Sequence, residues 1–338
     1  MAGAKSVSFH EERIMSLFSK ADLTDAVAIV QQRVAPTPAY PWPLLEARTG
    51  VRVFVKHENH TPIGAFKIRG GLVYLESLRR AGSIPPGLVT ATRGNHGQSV
   101  ALAASLNGIP AAIVVPEGNS QEKNAAMRAF GAELIVAGRD FDDSRAVAAQ
   151  IAEQRGYHFV PAFHPDLVKG VSTYAYELLT SVAKLAAVYV PIGMGSGICG
   201  LITVRDLLGL DTEIVGVVAE NAPAYALSFA TGEAVFTESA KTFADGMACR
   251  EPQAAPLALI CQGAARILQL HEGEIAEAVR VYFTDTHNVA EGAGSAALAG
   301  LMRERKRYAG KRVAVVLSGG NIDASVFAET LAGRTPRA

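Results

Sequence analysis

Residues 56–71 read KHENHTPIGAFKIRGG, and the interpretation of the rest of the chain starts from this stretch. The apolar run 51–55 before it is rich in valine, which favours a β-strand. Pro62 and Gly64 then predict a turn, and Lys67 follows just before two glycines. A lysine held in a dry pocket prefers its charged form less, so its amine becomes nucleophilic enough to form a Schiff base. Taken alone, the pattern also suits an ordinary lysine at the edge of a strand.

The composition excludes several classes of protein. Of the 338 residues, 49% are hydrophobic and 19% are charged, which is typical of a globular chain with enough core for two domains. The 32 basic residues balance 32 acidic ones, so no net charge favours nucleic acid as a partner. Residues 1–20 lack the apolar core of a signal peptide, and no apolar run reaches membrane-spanning length. We therefore expect a cytoplasmic protein with no nucleic-acid or membrane partner.

The cysteines and histidines do not predict a metal site. Cys199, Cys249 and Cys261 form no CxxC pair, so we interpret them as reduced core residues. His57 and His60 form an HxxH pattern that we interpret as local surface.

The pattern of apolar residues predicts an α/β fold. Two helices are expected over Glu11–Ser19 and Asp25–Val34, followed by a hairpin of Leu44–Glu46 with Val51–Val55 that turns at Thr49-Gly50. From residue 88, short apolar runs alternate with helical segments, which favours βαβ units on parallel sheets. The expected strands are Leu88–Ala91, Ala111–Val115, Leu134–Val136, His158–Pro161, Ala187–Pro191, Glu213–Ala219 and Arg312–Leu317.

We predict two open α/β domains, each with a parallel sheet. The smaller domain comprises residues 57–160 and is inserted in a larger domain of residues 1–56 and 161–338. An irregular stretch is expected from residue 233 to Pro256.

Residues 90–99 read TATRGNHGQS and place a strand end directly before a helix. Free backbone N–H groups at a helix N-terminus favour an anion such as a substrate carboxylate, and Asn95 adds a side-chain amide. A plain βα turn capped by Asn95 is the alternative interpretation.

Residues 191–200 read PIGMGSGICG and likewise connect a strand to a helix. The glycines allow the backbone to approach a phosphate closely. The segment contains a GxGxxG match at Gly195–Gly200, and Glu220 follows its last glycine by about 20 residues, which is the spacing of a dinucleotide site. That motif usually opens its domain, whereas here it lies in mid-chain. We therefore favour phosphate binding over binding of NAD.

A fourth stretch, Ser318-Gly319-Gly320-Asn321, follows the apolar run 313–317. It presents a hydroxyl at the carboxyl edge of a sheet, where open α/β folds bind ligands. Together the four stretches supply an amine, an anion loop, a phosphate loop and a hydroxyl. These are the groups that bind pyridoxal phosphate and an amino-acid substrate.

With these motifs in this order, the sequence resembles the fold-type II, or β-family, pyridoxal-phosphate enzymes of the threonine/serine dehydratase and serine racemase group. The resemblance extends over nearly the whole chain and implies the fold of the tryptophan synthase β subunit, in which the larger domain binds the cofactor and the smaller domain is mobile. It implies that Lys67 binds the cofactor as a Schiff base and is the catalytic base. The resemblance further implies that Phe66 contacts the cofactor ring, that Asn95 bonds to its 3′ oxygen, and that Glu291 lies near the ring and Ser318 at the pyridine nitrogen. Phosphate binding is implied for Gly193, Met194, Gly195, Ser196 and Gly197. Binding of the substrate carboxylate is implied for Thr92, Gly94, Asn95 and His96. The stretch Ala244-Asp245-Gly246 also matches a family motif, which we interpret as structural.

The resemblance implies β-elimination from an L-threonine- or L-serine-type amino acid, giving a 2-oxo acid and ammonia. Ser318 is consistent with this chemistry, because a hydroxyl leaves the pyridine nitrogen neutral and limits carbanion build-up. A β-replacement synthase, an NAD-linked oxidoreductase and a non-enzymatic amino-acid sensor are the alternatives. The resemblance also implies a homodimer.

Two positions depart from the family pattern. Arg93 stands where racemases of the group carry a serine, and an arginine does not readily exchange protons. Dehydration is therefore expected rather than racemization. Arg93 either binds a charged substrate side chain, which makes threo-3-hydroxyaspartate a candidate substrate, or forms an ion pair away from the site. Val218 and Ala224 occupy the places of the metal-binding carboxylates of some members, so we expect no required metal.

Overall fold

The computed structural model describes residues 17–337, which contain helices, strands and short 3-10 turns in the order expected of an α/β protein. The strands are β1 (Ala39–Pro41), β2 (Arg52–His57), β3 (Leu88–Ala91), β4 (Ala111–Val115), β5 (Glu133–Val136), β6 (His158–Phe159), β7 (Ala187–Pro191), β8 (Glu213–Ala219), β9 (Arg266–Leu270) and β10 (Arg312–Leu317). The helices are α1 (Lys20–Gln31), α2 (Pro43–Thr49), α3 (Lys67–Arg80), α4 (Asn95–Leu106), α5 (Gln121–Ala129), α6 (Phe141–Arg155), α7 (Pro165–Ser181), α8 (Ser196–Leu207), α9 (Ala224–Thr231), α10 (Ala254–Gly263), α11 (Glu272–Thr286), α12 (Gly292–Glu304) and α13 (Ala324–Leu331). The 3-10 turns are Glu58–His60, Asp245–Met247 and Arg305–Tyr308.

The strands form two sheets. The larger has the order β1-β2-β10-β7-β8-β9, and the smaller has the order β5-β4-β3-β6. All the pairings are parallel except that of β1 with β2. Strands such as β4 and β10 are buried along almost their whole length, as parallel strands covered by helices on both faces must be. The predicted fold class, two parallel-sheet α/β units, is confirmed.

The loop that follows β10 packs directly against the loop that precedes α3. Ala65 and Gly319 form an antiparallel bridge, and the backbone N–H of Phe66 donates to the carbonyl oxygen of Ser318 at 3.1 Å. Lys67 is the first residue of α3. The two sequence-distant loops thus bring Lys67 to the carboxyl edge of the larger sheet.

A buried ionic network lies between α3, α7 and the end of β2. Arg69 donates to Glu58 at 2.7 Å and to Glu177 at 2.7 Å, and its side chain has no exposed surface. The ammonium of Lys56 also contacts Glu177, at 2.5 Å. Because Arg69 follows Lys67 by two residues in α3, the network fixes the helix that carries the lysine.

The predicted hairpin at residues 44–55 is wrong. Residues 43–49 form α2, with Pro43 at its first position and Gly50 in the left-handed conformation (φ 68°) after its last. Proline at the start of a helix and glycine just past its end are the usual helix boundaries. The partner of β2 is instead β1, where Tyr40 pairs with Val55.

Two elements near the irregular stretch were not predicted. The helix α10 begins at Ala254, inside the stretch that was expected to be irregular up to Pro256, and β9 forms the edge of the larger sheet beside β8. Of the predicted helix Glu11–Ser19, residues 11–16 lie outside the described residues, and Ser19 is the N-cap of α1.

The smaller sheet is built from residues between Leu88 and Phe159. The division of the chain at residues 57 and 160, and the mobility of the smaller unit, stay predictions. Within residues 17–337, no helix is both long enough and apolar enough to cross a membrane.

Candidate active site

A cavity of about 660 Å³ lies beside the carboxyl ends of β3, β7 and β10. Every residue that the sequence assigned to the site contributes to its lining, so the structure brings the four motifs to one place. They are Phe66, Lys67, Thr92, Arg93, Gly94, Asn95, His96, Gly193, Met194, Gly195, Ser196, Gly197, Glu291 and Ser318. Their individual roles stay predictions.

Lys67 places its amine beside the glycine loop. Its Nζ donates to Ser196 Oγ at 3.1 Å and lies 5.0 Å from the ring centre of Phe66. Burial lowers the pKa of Lys67 to about 8, because the surrounding protein disfavours the ammonium. The neutral, nucleophilic amine is therefore accessible near neutral pH.

The glycine loop is shaped for an anion. Gly195 has φ 92°, and α8 begins directly after it with backbone N–H groups that lack acceptors within the helix. A Cβ at Gly193 would overlap the carbonyl oxygen of Gly246, and one at Gly195 would lie 2.8 Å from Pro256 Cβ. The hydroxyl of Tyr174 donates a hydrogen bond to the carbonyl oxygen of Gly197 at 2.9 Å and so helps to hold the loop in place. The loop fits a phosphate group.

The loop before α4 is held by Thr92. Its hydroxyl oxygen accepts from the N–H of Gly94 at 2.9 Å and from that of Gly97 at 3.3 Å. The adjacent His96 is buried, and burial together with the nearby Lys67 lowers its pKa to about 3. His96 is therefore a neutral group at physiological pH.

Asn95 and Glu291 meet across the cavity. Asn95 Nδ2 donates to Glu291 Oε1 at 2.6 Å, and Asn95 Oδ1 accepts from Asn321 Nδ2 at 2.8 Å. The second carboxylate oxygen of Glu291 lies 3.3 Å from Lys123 Nζ, and Lys123 also contacts Asp245 at 2.6 Å.

Sequence reasoning missed the role of Lys123 altogether. It lies in the first turn of α5, a helix with no motif of its own, and no spacing in the sequence connects it with Glu291. Asp245 was interpreted as structural, whereas the structure places it in the cavity lining and in contact with Lys123.

Ser318 directly follows β10 and is almost completely buried, with 4% of its surface exposed. Its backbone is tied to Phe66, while the carbonyl oxygen of the next residue, Gly319, accepts from the N–H of Glu291 at 3.1 Å. Backbone hydrogen bonds from Phe66 and Glu291 therefore hold the segment that carries the Ser318 hydroxyl.

Arg93 is exposed at the cavity wall. The expectation that it turns away into an ion pair is not met, because Arg93 has no salt bridge with any of residues 17–337. Its guanidinium is available to a ligand in the cavity.

Val218 and Ala224, which the resemblance aligns with the metal-binding carboxylates of some family members, are buried. Residues 17–337 contain no group of three or more acidic, histidine or cysteine side chains that could bind a metal ion. Glu220, the acidic residue of the dinucleotide spacing, is absent from the cavity lining and lies 3.4 Å from His271.

Comparisons with known proteins agree with this arrangement. The sequence model of a family described as "Pyridoxal-phosphate dependent enzyme" matches residues 30–319. The chain is 36% identical to an L-threonine ammonia-lyase of Geobacter sulfurreducens over 82% of this chain and 69% of that protein. It is 31% identical to an L-threo-3-hydroxyaspartate ammonia-lyase of Saccharomyces cerevisiae over 93% of this chain and 96% of that protein.

A comparison of the fold with solved structures finds an enzyme of the same kind. The processed form of threonine deaminase isoform 2 from Solanum lycopersicum superposes with a TM-score of 0.86 over 99% of both chains, at 25% identity. The extent of the family match shows that this chain is a member of the pyridoxal-phosphate dependent enzyme family, with pyridoxal phosphate as its cofactor.

Proposed function

We propose that this enzyme is an ammonia-lyase that removes the β-hydroxyl of an L-threonine- or L-serine-type amino acid and yields a 2-oxo acid and ammonia. The observation that carries the proposal is the amine of Lys67, whose pKa is lowered to about 8 and which lies 3.1 Å from Ser196 in the phosphate loop. The names of the relatives, threonine and threo-3-hydroxyaspartate ammonia-lyase, support the reaction class.

Lys67 has two tasks in this proposal. It holds the cofactor, and it removes the proton from the substrate Cα once the substrate amine has replaced it. When bound, pyridoxal phosphate withdraws electrons from Cα and so stabilises the negative charge that forms there. The backbone N–H groups in the first turn of α8 would bind the phosphate, and the loop from Thr92 to His96 would orient the substrate through its carboxylate.

Ser318 favours elimination over transamination. A carboxylate at this position would keep the pyridine nitrogen protonated, whereas a hydroxyl does not. The charge at Cα is then relieved by prompt loss of the β-hydroxyl. The almost complete burial of Ser318 excludes water from this contact and supports the proposed role.

The direct test is release of 2-oxo acid and ammonia from L-threonine, L-serine and L-threo-3-hydroxyaspartate by the purified holoenzyme. We expect turnover of at least one of them and loss of both turnover and visible cofactor absorbance in Lys67→Ala. The matched control is Lys169→Ala, because Lys169 pairs with Asp166 on α7 at 2.8 Å and is absent from the cavity lining. A cofactor-bound protein that releases neither product from any of the three would contradict the proposal and favour a β-replacement synthase.

Arg93 favours a second candidate substrate, L-threo-3-hydroxyaspartate. Its exposed guanidinium in the cavity matches the extra carboxylate of that amino acid, because arginine binds carboxylates in a bidentate manner. We expect Arg93→Ala to lower kcat/KM for hydroxyaspartate by about 10- to 100-fold, the contribution of a charged hydrogen bond, and to change kcat/KM for threonine little.

Arg139→Ala is the control for Arg93→Ala, since Arg139 lines the same cavity but is paired with Asp143 at 2.9 Å. Equal losses on threonine and hydroxyaspartate in Arg93→Ala would show that Arg93 does not select the substrate.

We further propose that the enzyme is a cytoplasmic homodimer in which residues 57–160 move as one unit. The support is the resemblance to the fold-type II family. Sedimentation velocity of the holoenzyme tests the dimer, and a monomer at micromolar concentration would overturn it.

A further inference from the structure

Lys123 is a buried cation that the proposed reaction does not yet use. Its side chain is 7% exposed, and its ammonium lies 2.6 Å from Asp245 Oδ2 and 3.3 Å from Glu291 Oε2. The side chain of Glu291 is 3% exposed. One cation therefore contacts two carboxylates, of which Asp245 is 27% exposed and Glu291 is shielded from water, so the charge on Glu291 depends on Lys123.

The methylene groups of Lys123 lie against the loop before α4. A Cβ at Gly94 would overlap Lys123 Cδ, so glycine at this position gives the lysine its path. Lys123 thereby contacts the predicted carboxylate loop with its methylene groups and Glu291 with its ammonium.

Glu291 and Asn321 together orient the amide of Asn95. Asn321 Nδ2 donates both to the carbonyl oxygen of Ile63 and to Asn95 Oδ1, each at 2.8 Å, so the oxygen end of the Asn95 amide is fixed. The nitrogen end donates to Glu291 Oε1 at 2.6 Å. A carboxylate accepts this hydrogen bond strongly, whereas a protonated carboxyl accepts it more weakly and would leave Asn95 held by Asn321 alone.

We propose that Lys123 is a positioning residue: its ammonium keeps Glu291 a carboxylate, and that carboxylate holds Asn95 in the orientation that offers an N–H donor to the cofactor. The inference deepens the proposed function and rests on the bond to the 3′ oxygen of the cofactor that the family resemblance implies for Asn95. Lys123 also lines the cavity, but in this role it acts through Glu291.

The groups around Glu291 come from three elements. Lys123 of α5 and Asn95 of α4 favour its ionised form, whereas burial and the carboxylate of Asp245 oppose it. Burial raises the pKa of Glu291 even with Lys123 in place. Loss of the ammonium therefore moves the proton onto Glu291 at a higher pH than in the wild-type enzyme.

The test follows the visible absorbance of the bound cofactor between about pH 5 and pH 9, a range in which a carboxyl with a strongly raised pKa titrates. In Lys123→Met we expect an additional titration of this band and an affinity for pyridoxal phosphate that is lower by about tenfold, the value of one hydrogen bond. Lys123→Arg keeps the charge and should show the wild-type profile. In the double variant Lys123→Met/Glu291→Gln the additional titration should disappear, because the titrating group is gone.

Ser120→Ala is the control for a purely structural effect. Ser120 caps the same helix and bonds to Asp323 without touching Glu291, so its loss should leave the profile unchanged. An additional titration that persists in the double variant, or appears equally in Ser120→Ala, would overturn the proposal. The readout needs cofactor but no turnover, so it succeeds or fails independently of the ammonia-lyase assay.

Discussion

At the scale of single residues, the environment of Lys67 makes a prediction about how the apoenzyme takes up its cofactor. Only the neutral amine attacks the aldehyde, and a pKa near 8 makes that form on the order of a hundredfold more abundant at pH 7 than in an ordinary lysine. The rate of absorbance recovery after addition of pyridoxal phosphate should rise about tenfold from pH 6 to pH 7 and level off above pH 8.

The reaction of the free cofactor with Nα-acetyl-lysine, measured in parallel, corrects for ionisation of the cofactor itself. A rate that still rose steeply up to pH 10 would show that Lys67 keeps the pKa of an exposed lysine, contrary to its burial.

The sequence predicted which residues line the cavity far better than it predicted the contacts between them. Ser196 and Ser318 follow the neighbouring strands β7 and β10, and the carboxyl ends of parallel strands meet at one edge of a sheet, so these two residues were expected to converge. Asn95 follows β3 of the smaller sheet, and its contact with Glu291, like that of Lys123, joins residues that are far apart in the sequence. Such contacts leave no local pattern in the sequence.

At the scale of elements, the strands of the parallel sheets were the easiest to predict. Ala111–Val115 is apolar throughout and Arg312–Leu317 is apolar after its first residue, since both faces are covered, and their bounds agree with the structure. β9 was missed because Arg266 and Gln269 interrupt its apolar run. It lies at the edge of the sheet, where a strand needs only one partner and tolerates polar residues.

The error at residues 43–55 has a different cause. Gly50 was interpreted as a hairpin turn, although a glycine in the left-handed conformation ends helices as well as it turns strands. The decisive residue was Pro43, whose missing N–H suits the first position of a helix. Gly50 alone therefore did not distinguish a hairpin turn from the end of a helix, and Pro43 had to be considered with it.

At the scale of the whole molecule, the ionic network of Arg69 connects the helix that carries Lys67 with the rest of the fold. Burial alone would raise the pKa of Glu58, but the guanidinium of Arg69 and the ammonium of Lys56 lower it below its usual value. Glu58 therefore contributes stability above its ordinary pKa of 4.5, and this contribution is lost as the pH falls through the lowered value.

Arg69→Met should lower the free energy of unfolding of the apoprotein by about 3–5 kcal/mol at pH 7, because it leaves a buried carboxylate with too few partners. The urea midpoint, followed by the fluorescence of the single tryptophan, Trp42, measures the loss. Arg80→Met, which breaks the exposed pair with Asp25, is the control and should hardly move the midpoint.

The pH dependence separates this mechanism from a loss of packing. Without the guanidinium the pKa of Glu58 should lie above that of the unfolded chain, so Glu58 takes up a proton more readily when folded than when unfolded. The stability difference between wild type and Arg69→Met should then narrow as the pH is lowered from 7 towards 5. A difference that stayed constant over this range would assign the loss to the packing of the arginine side chain, and the network would then have no electrostatic part in holding the lysine-bearing helix.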